Sequence, residues 1–130
     1  MNLLLDTQIF LWFISADPRL PASMQAAIQD SANSVFLSAA SVWEATVKYQ
    51  LGKLLLPESP EKYLTRQREA HLIASLAIDE QCIGRLVGLP EIHKDPFDRI
   101  LVCQALQHDL VLMTSDDIVR RYPAQTFKGS

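Results

Sequence analysis

At 130 residues, of which 48% are hydrophobic, the chain has the length of one domain over residues 1–130 and can bury a core, which excludes intrinsic disorder. A formal net charge of −3 argues against broad, unspecific nucleic-acid binding, whose usual footprint is a basic excess, although a few acids gathered in one site can mask a basic rim in that total. The opening Met1-Asn2-Leu3 has no basic flank and reaches Asp6 at once, and no apolar run approaches a membrane span, so neither a signal peptide nor an anchor is expected and the cytoplasm is the expected compartment.

Asn2 to Leu5 is a short apolar run suited to a buried strand, and Asp6 ends it. Thr7 to Ile14 predicts a short helix, broken at Asp17-Pro18. Pro21 starts a second helix that runs to about Ala32. Ser34 to Ser38 predicts a strand and Ala39 to Leu51 a helix, with Gly52 at the C-terminal cap position. A helix from Pro60 to about His71 and a strand over Leu72 to Ile78 follow, then a helix capped by Asp79 and running through Val87. His93 to Pro96 is a polar loop, Phe97 to His108 an amphipathic helix, and Leu110 to Thr114 a strand. Asp116 to Arg121 predicts a short helix, and Gln125 to Phe127 an edge strand. Strands alternating with helices imply an α/β domain with a mostly parallel sheet and helices on both faces. Cys82 and Cys103 have neither a CxxC spacing nor a histidine at ligand spacing; they are expected to be buried free thiols.

Ligands of open parallel sheets sit beyond the C-terminal strand ends, and four acids fall there. Asp6 ends the first strand, Asp116 follows the strand over 110–114, Glu44 lies about one and a half turns into the helix after the second strand, and Asp98 is in the first turn of the helix after the 93–96 loop. Carboxylates packed together repel, and a hard divalent cation resolves the conflict. Mg²⁺ or Mn²⁺ held this way supports phosphodiester hydrolysis. Each acid also has a plainer reading: Asp6 as a helix cap, Asp98 as a first-turn acid, Glu44 as the i,i+4 partner of Lys48, Asp116 and Asp117 as cap residues. The case for a site rests on all four together. Asp95 competes with Asp98, and Asp117 with Asp116.

The motifs resemble those of PIN-domain nucleases, in order and along nearly the whole chain. They are Asp6-Thr7 after Leu3-Leu4-Leu5; Ser41-Val42-Trp43-Glu44 with Lys48 and Gly52-Lys53-Leu54; His93-Lys94-Asp95-Pro96-Phe97-Asp98-Arg99 followed by Gln104-Ala105; and Leu112-Met113-Thr114-Ser115-Asp116. The likeness is greatest to the small VapC-like toxins. It implies a three-layer sandwich with a central, mostly parallel sheet, and Mg²⁺- or Mn²⁺-dependent endoribonuclease activity. It implies that Asp6, Glu44, Asp98 and Asp116 form the catalytic, metal-binding pocket, with Asp6 and Asp98 as the usual direct ligands and Thr7 and Ser115 in support. It also implies homodimers, an RNA substrate (tRNA among the candidates) and a cognate antitoxin whose tail lies over the site. Asp98 fits the motif better than Asp95, and Asp116 stands nearer the strand end than Asp117; neither choice is closed by the sequence.

Arg99 is expected to pair with an acid or touch a substrate phosphate, and His93 to shape its loop. Lys48, Lys53, Arg66 and Arg68 are candidates for a basic rim; Trp12, Phe13 and Trp43 are expected in the core or a dimer interface. Two other readings compete: a phosphohydrolase with Asp6 as nucleophile, disfavoured because Gln8 stands where a second acid is wanted, and a catalytically silent PIN-like RNA-binding or assembly module.

Overall fold

The computed structural model describes residues 1–128; positions 129 and 130 of the expected domain lie outside the described residues. Among the described residues, four strands and six α-helices follow in the order β1 (Asn2–Leu5), α1 (Thr7–Ile14), α2 (Ala22–Gln29), β2 (Ser34–Ser38), α3 (Ala39–Gln50), α4 (Pro60–Ala70), β3 (Ala74–Leu76), α5 (Glu80–Gly84), α6 (Pro96–His108) and β4 (Val111–Met113), with 3₁₀ turns at Arg85–Gly88 and Val119–Arg121. The strands form one parallel sheet in the order β3-β2-β1-β4. β1 is central, pairing Leu3 to Leu5 with Val35 to Leu37 on one side and with Val111 to Met113 on the other.

The period-2 alternation of the strands divides the core. Leu3, Leu5, Val35, Leu37 and Met113 face one layer, where they pack with Ile9 and Phe10 of α1, Met24 and Ile28 of α2, Ala45 of α3 and Leu64 of α4. Leu4 and Leu112 face the other, with Cys82 of α5 and Ile100 to Cys103 of α6. The arrangement is the three-layer α/β sandwich expected from the motifs. Leu101, at the centre of the second layer, is buried. Leu101→Ala is expected to lower unfolding stability by about 2–5 kcal/mol through lost burial and an unfilled cavity, a change that urea denaturation measures directly.

Several boundaries differ from the sequence reading, for local reasons. α2 stops at Gln29, not Ala32, because the Asp30 carboxylate reaches forward to accept from the Ala32 amide at 2.9 Å, forming a turn in place of helix. The strand expected over 72–78 begins only at Ala74; Leu72 sits at φ 57°, a left-handed conformation that no strand accommodates. The helix expected through Val87 is α5 followed by a 3₁₀ turn, with poor helix formers at Gly84 and Gly88. The helix expected over 116–121 is a 3₁₀ turn at Val119–Arg121. The expected edge strand is a single parallel bridge, Leu112 to Thr126. α6 begins at Pro96, one residue early, with Asp95 as its cap.

Candidate metal centre

Asp6 is the first residue beyond β1. Its amide donates to the Met113 carbonyl at 3.0 Å, extending the β1–β4 ladder by one step. Its carboxylate caps α1, accepting from the Ile9 amide at 2.7 Å. Glu44 is carried by α3, whose start is fixed by Ser38 accepting from the Ala40 amide. The Glu44 carboxylate is buried and bound at both oxygens, by the Thr7 hydroxyl at 2.7 Å and by Lys48 Nζ at 2.7 Å. Asp98 stands in the first turn of α6, where His93 Nε2 meets its Oδ2 at 3.1 Å. Asp116 follows β4; one oxygen accepts from the Ile118 amide at 2.9 Å.

These four acids line one open cleft of about 740 Å³ at the C-terminal ends of the strands, together with Thr7, Ser115 and Asp95. The two competitors named in the sequence have different placements. Asp95 borders the cleft, but one of its oxygens caps α6, accepting from the Phe97 and Asp98 amides at 2.9 and 3.1 Å. Asp117 is 93% exposed and pairs with Arg120, and it does not line the cleft.

The electrostatics are those of carboxylates crowded away from water. Burial pushes Asp6 up from 3.8 to about 6; the Thr114 hydroxyl and the Ile9 amide pull it down, and Asp98 and Glu44 add repulsion. Asp98 is also raised, first by burial, against the opposing pull of His93, with Asp95 and Glu44 adding repulsion. Lys48 is raised by its hydrogen bond to Glu44. An all-oxygen, strongly anionic donor set held at such cost fits a hard divalent cation such as Mg²⁺ or Mn²⁺.

Not every residue singled out in the sequence reaches the cleft. Arg99 faces away: its guanidinium donates to the Pro90 carbonyl at 2.9 Å and the Tyr122 hydroxyl at 3.1 Å. Of the expected basic rim, Lys48 and Lys53 line the cleft, whereas Arg66 is paired with Glu58 and Arg68 caps the Ile73 carbonyl. Trp12 borders the cleft under the Arg19 guanidinium, 5.2 Å from the ring centre. Trp43 is 58% exposed, edge-on to Phe97. Sequence reasoning missed Arg19, Thr114 and the grip of His93 on Asp98. Thr114 had a signal, a hydroxyl closing the last strand two residues before Asp116; His93 had none, because its loop has no periodicity to fix where the ring points.

The PIN domain family profile matches residues 3–125. Ribonuclease VapC16 of Mycobacterium tuberculosis is 39% identical over 66 residues, covering 48% of this chain and 47% of that protein; the matched stretch is about half the length of either. In fold, the chain is similar to the crystal structure of VapBC2 from Rickettsia felis bound to a DNA fragment from their promoter, with a TM-score of 0.72 and 16% identity over 98% of both chains. A toxin-antitoxin complex from Klebsiella pneumoniae gives a TM-score of 0.56 and 20% identity over 87% of this chain and 85% of that one. With the profile spanning nearly the whole sequence and the acids gathered at the strand ends, the chain belongs to the PIN domain family.

Proposed function

We propose that this chain is a divalent-metal-dependent endoribonuclease, hydrolysing RNA phosphodiester bonds as the toxin of a toxin–antitoxin pair in the cytoplasm. The observation that carries the reading is the convergence of Asp6, Glu44, Asp98 and Asp116 on one open cleft, with Asp6 pushed up to about 6 by burial and by its acidic neighbours. Asp6 and Asp98 would hold a Mg²⁺ or Mn²⁺ ion, with Glu44 and Asp116 completing its surroundings. When bound, such an ion activates a water and offsets charge on the phosphoryl oxygen.

The remaining work falls to the chain. The Thr7 hydroxyl and Lys48 hold the two Glu44 oxygens in place, and His93 fixes the rotamer of Asp98. Lys48, Lys53 and Arg19 lie along the cleft, where cations attract an RNA backbone into an otherwise acidic groove. The wall formed by Leu11, Trp12, Leu55 and Leu56 suits the apolar part of an antitoxin tail, with a basic side chain reaching the acids. The toxin role and the antitoxin partner are supported by the likeness to the VapC ribonuclease and to the toxin–antitoxin complex; a homodimeric state is part of the same proposal. Among the described residues no helix is long and apolar enough to cross a membrane.

The test is incubation of the purified chain with total bacterial RNA, with Mn²⁺ and with EDTA. Discrete products only in the presence of metal are expected. Absence of cleavage, with the protein folded, would favour the silent binding module. The division of labour between Asp95 and Asp98 has its own signature. Asp95→Asn keeps a cap oxygen for α6 and is expected to retain cleavage within about tenfold of wild type. Asp98→Asn is expected to lose it, a difference that single-turnover rates measure.

A further inference from the structure

A second group of metal-ligating side chains lies at the far end of α6. Asp79, Cys82 and His108 each offer one ligand atom, all within 4.8 Å of one another. Cys82 Sγ stands 3.8 Å from His108 Nε2, and Asp79 Oδ2 stands 3.8 Å from the same nitrogen. We propose that these three side chains form a second cation site, for Zn²⁺ or a similarly thiophilic divalent ion, independent of the acidic cleft. His108 is the last residue of α6 and Asp98 is in its first turn, so the two sites are about 15 Å apart along the helix.

The geometry separates this reading from two others. A nucleophilic Cys–His–Asp relay needs the thiol on one ring nitrogen and the carboxylate on the other. Here sulfur and carboxylate both face Nε2, which suits convergence on a central cation and not a proton relay. The other reading is a buried cysteine that merely packs. Against it, the sulfur is wholly buried yet turned toward two polar groups that are each partly open to solvent, so an ion has a path to the sulfur through them.

Zinc takes sulfur at ~2.3 Å and imidazole nitrogen at ~2.0–2.1 Å in a tetrahedral arrangement, which places such atoms about 3.5 Å apart. The observed 3.8 Å closes to that with a small movement. Asp79 is already oriented: its Oδ1 accepts from the Cys82 amide at 2.8 Å, leaving Oδ2 toward the histidine. On binding, a thiolate–metal bond forms and the Cys82 proton passes to solvent. Water completes the shell. The ion would clamp α5 to the end of α6, where Gln107 already laces the two segments by bonds to Arg85 at 2.7 Å and Gln81 at 2.8 Å.

Cobalt(II) distinguishes the two sites, because only a thiolate ligand gives sulfur-to-cobalt charge-transfer absorption and the acidic cleft has oxygen donors alone. Titrating the full chain with Co²⁺ in the presence of excess Mg²⁺ to occupy the acidic cleft is expected to produce that band, which saturates and is bleached by Zn²⁺. Cys82→Ser should remove it and Cys103→Ser should keep it. His108→Ala, a change at a partly exposed side chain that leaves the core intact, should weaken the apparent affinity at least about tenfold. A folded wild-type chain without the band would overturn the site, as would a band that survives Cys82→Ser or is indifferent to His108→Ala.

Discussion

Asp6→Asn is expected to abolish RNA cleavage and at the same time to stabilise the protein at neutral pH. Both effects come from one cause. Asp6 is buried beside Asp98 and Glu44, and its carboxyl is raised from 3.8 to about 6. At one pKa unit per 1.36 kcal/mol, holding it ionised at pH 7 costs the native state roughly 3 kcal/mol. Asparagine removes the charge, keeps an oxygen for the Ile9 amide, and turns its own amide hydrogens toward neighbouring carboxylates. Part of the roughly 3 kcal/mol is therefore regained in metal-free protein. Cleavage is expected to fall by at least about 10³-fold, since the variant would lose the anionic oxygens proposed to hold the ion, an effect of several kcal/mol on the barrier.

The sign of the pH dependence follows. Between 3.8 and about 6 the native state binds the Asp6 proton more tightly than the unfolded chain. Metal-free wild type therefore gains stability from this group as pH falls from 7 through 6 toward 4, and loses it as pH rises again. Urea midpoints across that range should show the slope in wild type and a shallower one in Asp6→Asn. A variant that cleaves RNA at the wild-type rate would remove Asp6 from the centre.

The second large effect is stabilisation by the ion itself. A ligand that binds only the folded state at a hundred times its dissociation constant adds about 2.7 kcal/mol, which for a domain of this size raises the melting temperature by roughly 10 °C. Mn²⁺ is expected to do this for wild type and to do little for Asp6→Asn or Asp98→Asn. Na⁺ at matched ionic strength separates specific binding from screening. A shift of equal size in the Asp98→Asn variant would place the ion elsewhere.

The strands and the acidic centre were legible in the sequence because the signals that carry them are local. Leu3-Leu4-Leu5 is buried on both faces of β1, so it reads as an unbroken apolar run, and the acid at its end is where a parallel sheet opens to a ligand. Glu44 and Asp98 were placed by the helices expected from Ala39 and from Phe97, each following a strand or a polar loop. What could not be read depends on tertiary contact or on backbone detail. Leu72 turns left-handed although leucine favours a strand or helix as well as any neighbour, so β3 came out too long. Arg99 finds Tyr122 and the Pro90 carbonyl, partners 23 and 9 residues away that no spacing rule links to it. The meeting of Cys82 with His108, 26 residues apart, is of the same kind.

The most direct test of the central claim is a single Mn²⁺ titration of the purified chain, read in parallel as melting temperature and as the initial rate of cleavage of total bacterial RNA. The same ion is held to stabilise the acidic centre and to cut RNA. The two curves are therefore expected to share one half-saturating concentration, and both responses should vanish in Asp98→Asn. Cleavage that persists in EDTA, or a melting shift saturating at a metal concentration unrelated to that of cleavage, would contradict it.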